Sequence, residues 1–253
     1  MTGTVRRVRP SLPLAALRIL ALGGWLAVAA PLHLLARGRG QSDWPRRFLA
    51  GVARIAGARV RTAGEPIAGP TLIIANHTSW LDIPVLAGAT GCAFVSKDEL
   101  QGQRLMHWLC KQNGTVFVDR SDKRGIADQT GQMLRALHRR QPLALFPEGT
   151  VSDGTRLLPF RPALLSAFAP APAGVFIRPV AIDYGGAAPE FGWPQGETGK
   201  RNFLRMIGRR GTVAVTLHLL PPVDGLDRKQ LARAAHDAIA AALLPSGIAP
   251  AAV

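Results

Sequence analysis

Two hydrophobic rhythms alternate along this chain. Short apolar runs, rich in β-branched and aliphatic residues, recur at 71–75, 93–96, 115–118, 143–146, 175–182 and 213–219. Runs of that length bounded by Gly, Pro or polar residues predict buried strands; residues 60–62 predict one more, and 65–70 a turn. Between several of them the apolar residues space out as on a helix face. Residues 83–89 follow the first long run. Leu105, Met106, Trp108 and Leu109 mark a helix over 100–111. Ile126, Met133, Leu134 and Leu137 mark one over 122–139, and Leu231, Ala235, Ile239 and Leu243 one over 226–244. Strands alternating with helices predict an α/β fold with a largely parallel sheet flanked by helices. Residues 183–211 are Gly-rich and show neither period.

The amino-terminal end has a different pattern. Residues 19–35, ILALGGWLAVAAPLHLL, carry no formal charge, a length at the lower limit for crossing a bilayer. Arginines lie on both sides: Arg6, Arg7 and Arg9 before, Arg37, Arg39, Arg46 and Arg47 after. The positive-inside rule therefore selects no crossing direction, and an interfacial helix and a single span both remain open. Asp43-Trp44-Pro45 reads as an N-cap and helix start. Phe48, Leu49, Val52 and Ile55 give a second, amphipathic helix over about 44–56. The expected division is a basic, apolar two-helix membrane-associating segment (1–57), an α/β domain (58–245) and a loose tail (246–253).

Charge narrows the partner. Lys plus Arg is 31 against 16 Asp plus Glu, a net charge of +15, which calls for an anionic partner. Aromatics are 6% and do not interleave with the basic residues, so base stacking is not indicated. A lipid surface, not nucleic acid, is the expected partner. Cys92 and Cys110 are too few for a disulfide framework and read as buried thiols. His33, His107, His138, His218 and His236 are scattered, so no metal site is expected.

Four strand ends carry candidate chemistry. Asn76-His77-Thr78-Ser79-Trp80-Leu81-Asp82 follows the first long apolar run. Histidine titrates near neutrality and suits a general base; a carboxylate on its other nitrogen would fix the tautomer. Five positions work if His77 precedes the helix and Asp82 opens it; alone, the pair also has a structural reading. Phe117-Val118-Asp119-Arg120 places an arginine that fits a phosphate, or a salt bridge to Asp119 or Asp122. Phe146-Pro147-Glu148-Gly149-Thr150 combines a carboxylate, a glycine that lets backbone approach a ligand, and a hydroxyl; a turn with a helix cap is the plainer reading. Arg161 adds a basic position downstream. Ile177-Arg178-Pro179-Val180-Ala181-Ile182 holds a proline that argues for a sheet edge or a bulge. No Gly-x-Ser-x-Gly elbow, Walker loop or dinucleotide glycine pattern occurs.

Taken in order, these four blocks resemble those of the lysophospholipid acyltransferase family, over about residues 60–220. The resemblance implies an enzyme of the bacterial inner membrane, at its cytoplasmic face. It implies transfer of a fatty acyl group from acyl-CoA or acyl carrier protein to a lysolipid hydroxyl, without a cofactor. It makes His77 the base and Asp82 its partner. Arg120 is implied for the acceptor phosphate, Glu148, Gly149 and Thr150 for the acceptor site, and Pro179 for the acyl-donor region. The family often has Arg after Glu-Gly-Thr; here Val151 stands there, and Pro159-Phe160-Arg161-Pro162-Ala163 replaces a Pro-Phe-Lys-x-Gly pattern. Arg156 or Arg161 is then the substitute cation. Lysophosphatidate is the first expected acceptor. The stretch from Glu148 to Gly154 also resembles the branch that acylates the phosphate-free lyso-ornithine lipid. A reading of another class, a non-catalytic basic membrane- or nucleic-acid-binding protein, leaves the His77/Asp82 pair without a purpose.

Overall fold

The protein is described from a computed structural model covering residues 9–38, 42–97, 104–118, 131–133, 135–137, 141–194, 196–225 and 227–251. Two helices come first, α1 (Leu12–Arg37) and α2 (Trp44–Ile55). They are followed by β1 (Ala58–Gly64), β2 (Thr71–Ala75), α3 (Asp82–Thr90), β3 (Ala93–Lys97), α4 (Arg104–Gln112), β4 (Val116–Val118) and β5 (Leu143–Leu145). The short β6 (Arg156–Leu157) precedes β7 (Phe176–Asp183), α5 (Gly199–Ile207), β8 (Val213–Leu219), α6 (Arg228–Leu243) and β9 (Ala249–Pro250). Of the helix expected over 122–139, only 131–133 and 135–137 are described; both are helical, with Met133 and Leu137 buried on one face.

Seven strands form one sheet in the order β1-β8-β7-β2-β5-β3-β4. Every pairing in it is parallel except β7 with β8. β2 lies at its middle, and all five of its residues are buried, as a strand covered on both faces requires. The expected largely parallel α/β fold is the one observed.

Pro179 is a correction. It lies inside the sheet, opposite Ile74 of β2, not at an edge or a bulge. The physical reason is local. Its carbonyl accepts from Leu220 N, and the ladder with β8 begins only at Val180. The missing N–H therefore falls where that ladder has not started. Beside it, Arg178 is buried, and its guanidinium donates to the carbonyls of Glu65, Pro66, Leu219 and Leu220. It ties the turn after β1 to the end of β8.

Other expectations shift in detail. α1 runs for 26 residues, further than its uncharged stretch, and Arg18 lies inside it. Asp43 precedes α2 without a side-chain cap bond; Ser42 Oγ accepts from Trp44 N instead. The stretch 183–211, without a readable period, contains α5. Residues 249–250, expected in a loose tail, pair with Arg156–Leu157 as a two-stranded ribbon. Cys92 is buried, and its thiol is pushed up to about 12 by that burial; Cys110 is only partly buried.

The amino-terminal helices pack by close approach. Trp25 of α1 donates to Phe48 O and covers Gly51 of α2. On the other side of α2, Ala50 meets Gly88 of α3 backbone to backbone. α2 is thus held between the apolar α1 and the helix that opens with Asp82.

Candidate active site

Three neighbouring strands, β7, β2 and β5, each deliver a polar group from the carboxyl end, the place where open α/β sheets bind ligands. β2 ends at Ala75. Asn76 then continues the pairing with its side chain, accepting from Ile182 N at 2.7 Å and donating to Ile182 O at 3.1 Å. That exchange fixes the turn in which His77 sits, just before α3.

His77 Nδ1 lies 2.8 Å from Asp82 Oδ2. The same oxygen accepts the backbone N–H of Thr78 at 2.7 Å and of Ser79 at 2.8 Å. The other oxygen, Oδ1, accepts the Tyr184 hydroxyl at 2.6 Å. Asp82 is fully buried. Four donors thus meet the two oxygens of this carboxylate, which serves them as an acceptor. Its partner nitrogen on His77 then carries the proton, which leaves the Nε2 lone pair for chemistry. Phe146, just past β5, stacks on the His77 ring at 4.1 Å between centroids and 13° between planes. The imidazole is therefore fixed both by its hydrogen bond and by its plane.

Glu148 stands behind this pair. Its Oε1 accepts His77 N at 2.6 Å and its Oε2 accepts Leu158 N at 3.3 Å, with the residue 2% exposed. Burial pushes the carboxyl up to about 8, against two backbone donors that pull it down. Glu148, implied for the acceptor site, braces the backbone of the histidine. Gly149 has φ +71°, and a Cβ there would lie 3.2 Å from Arg161 Cδ and Nε. The Arg161 side chain therefore covers the turn, and Arg161 N donates to Pro147 O at 2.8 Å. Thr150 is exposed beside it. Pro179 is buried in β7, and the residue that reaches the cluster from that strand is Tyr184, one position beyond its end. Arg120 lies outside the described residues.

Sequence reasoning missed Tyr184 and Phe146. Tyr184 is the only tyrosine in the chain, and a polar-tipped aromatic at a strand's carboxyl end was the available signal. The N–H groups of His77, Thr78 and Ser79 are already engaged by Glu148 and Asp82. They are not free to hold an oxyanion. A cleft of about 640 Å³ between α2, α3 and the outer edge of β1 has none of His77, Asp82, Glu148 or Tyr184 in its lining. Among the described residues no His/Cys/Asp/Glu group is arranged to hold a metal ion.

A histidine oriented by a buried carboxylate at the mouth of a largely parallel sheet is built for proton transfer to and from a substrate. Residues 54–183 match the family described as Acyltransferase, and the chain belongs to that family. It is an O-acyltransferase of the glycerolipid type, which sets aside the non-catalytic reading. A lyso-ornithine lipid O-acyltransferase of Pseudomonas aeruginosa is 35% identical over 244 residues, 90% of each chain. One from Brucella abortus is 35% identical, covering 80% of this chain and 84% of that one. A 1-acyl-sn-glycerol-3-phosphate acyltransferase of Neisseria gonorrhoeae is 33% identical over 51% of this chain and 46% of its own. The crystal structure of the 1-acyl-sn-glycerophosphate (LPA) acyltransferase PlsC from Thermotoga maritima has the same fold. Its TM-score is 0.59 at 20% identity, over 91% of this chain and 97% of that one.

Proposed function

We propose that this enzyme moves a fatty acyl group from acyl-CoA or acyl carrier protein to the free hydroxyl of a lysolipid, with His77 as general base. The 2.8 Å contact between His77 Nδ1 and the saturated carboxylate of Asp82 carries this reading. Nε2 takes the hydroxyl proton as the oxygen attacks the thioester carbonyl. The C–S bond then breaks, the new ester forms, and the imidazolium returns the proton to the leaving thiolate. Asp82 stays anionic throughout and stabilises the imidazolium. The oxyanion needs donors other than the three committed N–H groups. Arg161, with its side chain over Gly149, is a cation at the turn after β5.

Two acceptors fit this chemistry. The family-wide blocks favour lysophosphatidate, the acceptor class in the names of the Neisseria and Thermotoga relatives. The relatives that span most of the chain favour lyso-ornithine lipid, and Val151 in place of an arginine fits a phosphate-free acceptor. Purified enzyme given labelled acyl-CoA or acyl carrier protein, with both lysolipids in one reaction, decides the matter by which product forms. In the same assay His77→Ala is expected to lose about 10²- to 10⁴-fold in turnover while keeping its fold. Wild-type turnover in that variant would end the general-base reading.

The membrane attachment is read as interfacial, on the cytoplasmic face. α1 is long and apolar enough to cross a bilayer, with mean hydropathy 1.9 and 11% of that stretch buried. Yet it is fastened to the rest of the protein along its whole length. Ser11 N donates to Gly208 O, Arg18 to the carbonyls of Ile207, Arg209 and Gly211, and Trp25 to Phe48 O. His33 and Arg37 both meet Gln112 of α4. A helix of about 39 Å held at its start, middle and end lies along the domain, which supports insertion into one leaflet by its exposed side. That side carries Leu12, Leu17, Leu20, Val28, Leu34 and Leu35.

A further inference from the structure

Asp82 makes four hydrogen bonds, and only one of its donors comes from outside the 76–82 turn. That donor is Tyr184, which is 2% exposed and stacks on Phe191 at 5.0 Å and 15°. Ser79 is fully buried beside it, and its hydroxyl accepts from Leu81 N. Three of the four bonds fall on Oδ2 and come from within the turn itself. The 2.6 Å bond from Tyr184 holds the other oxygen, Oδ1, and ties it to a different strand of the sheet. We propose that Tyr184 is a positioning residue for acyl transfer: its hydroxyl locks the Asp82 carboxylate in the plane that orients His77 and tunes how strongly that carboxylate holds the imidazolium. This rests on the general-base reading of His77.

The chemistry of the hydroxyl supports it. Burial and the adjoining Asp82 charge both raise the Tyr184 phenol well above its ordinary range. It stays protonated at any working pH and acts only as a donor toward Oδ1. A donor on Oδ1 spreads the negative charge of Asp82 over a fourth partner. Without it, Oδ1 regains that charge and binds the imidazolium more tightly, so His77 becomes more basic and less well aimed. The other titratable group facing Asp82 is Glu148. Asp183, at the end of β7, engages Ser246, Gly185 N and His218 instead.

The chain's single tyrosine makes the test clean in both directions. Tyr184→Phe keeps the ring and its stack and removes only the hydroxyl. It is expected to lower kcat by about tenfold with the acceptor KM within about twofold, and to move the acid limb of kcat/KM up by about half a pH unit. Global replacement of tyrosine by 3-fluorotyrosine alters this site alone and makes the phenol a stronger donor. It is expected to move the same limb down. A purely structural role has no reason to move the limb in opposite directions. If neither change moves it, or both move it the same way, or Tyr184→Phe raises KM at unchanged kcat, the proposal is overturned. Should Tyr184→Phe fail to fold, the fluorotyrosine enzyme decides alone. His77→Ala is run beside them. If it is inactive and Tyr184 proves inert, the base stands and only this role falls; if His77→Ala is active, both fall.

Discussion

Glu148 is the residue whose position says most about how this site is held. Its carboxyl is raised to about 8 by burial, from an ordinary value of 4.5. The folded protein therefore binds a proton there that the unfolded chain has lost between those two values. The corresponding stability is present below about 4.5 and is lost as pH rises through about 8. Glu148→Gln keeps an oxygen for His77 N–H and cannot ionise. Melting temperatures measured from pH 6 to 9 are expected to fall more steeply for the wild type than for Glu148→Gln. Parallel curves would show that Glu148 is not the group responsible. The sequence marked Glu148 as functional but not which way it points. A Glu-Gly-Thr turn reads the same whether its carboxylate faces a ligand or the backbone of a neighbouring strand end. The His77/Asp82 pair was legible because both members lie in one short local segment. Tyr184 was not, because 102 residues separate it from Asp82 and only the sheet order brings them together.

Among elements, α3 has the most constrained seat. It opens with Asp82, ends on Gly91 in the left-handed conformation, and packs on α2 through Gly88. A Cβ at Gly88 would lie 2.7 Å from both Ala50 Cα and Ala50 N. In an open helix Gly→Ala stabilises by roughly 1 kcal/mol. Here the neighbour is backbone and cannot move aside, so overpacking is expected to win by about 1–3 kcal/mol. Gly88→Ala should lower the melting temperature and, because the strain falls on the helix carrying Asp82, turnover as well. An unchanged or raised melting temperature would mean that α2 and α3 part readily enough to admit the added methyl group. β2 and β8 were readable to the residue, since 71–75 and 213–219 are β-branched and aliphatic runs in which only Thr71, Thr216 and His218 are polar. β6 and β9 were not, because two-residue strands have no period to read. The proline in β7 misled for the opposite reason: a correct local rule met a ladder that starts one residue later.

For the whole molecule, the question is how a basic protein with a 26-residue apolar helix meets its membrane. If α1 lies in one leaflet, as proposed, its two ends are expected on one side of the bilayer. Single cysteines placed by Arg9→Cys and Gly38→Cys, in a background without Cys92 and Cys110, are expected to react with an impermeant maleimide only after cells are opened. If one end reacts from outside in intact cells, α1 crosses and the interfacial reading fails. The sequence left this even because it showed basic residues on both flanks and nothing of the contacts made by Ser11, Arg18, Trp25 and His33. Those depend on α2, α4 and the loop at 207–211, remote segments that no local pattern announces.

The small ribbon of β6 and β9 sets an order of events. Ala251 N donates to Leu157 O, the next residue, Leu158, donates to Glu148, and Glu148 accepts from His77 N. β9 is the last of these elements to be synthesised, made after α1 and α2 and after the sheet strands they rest on. A nascent chain can thus present its lipid-seeking helices while the brace under His77 still lacks its final strand.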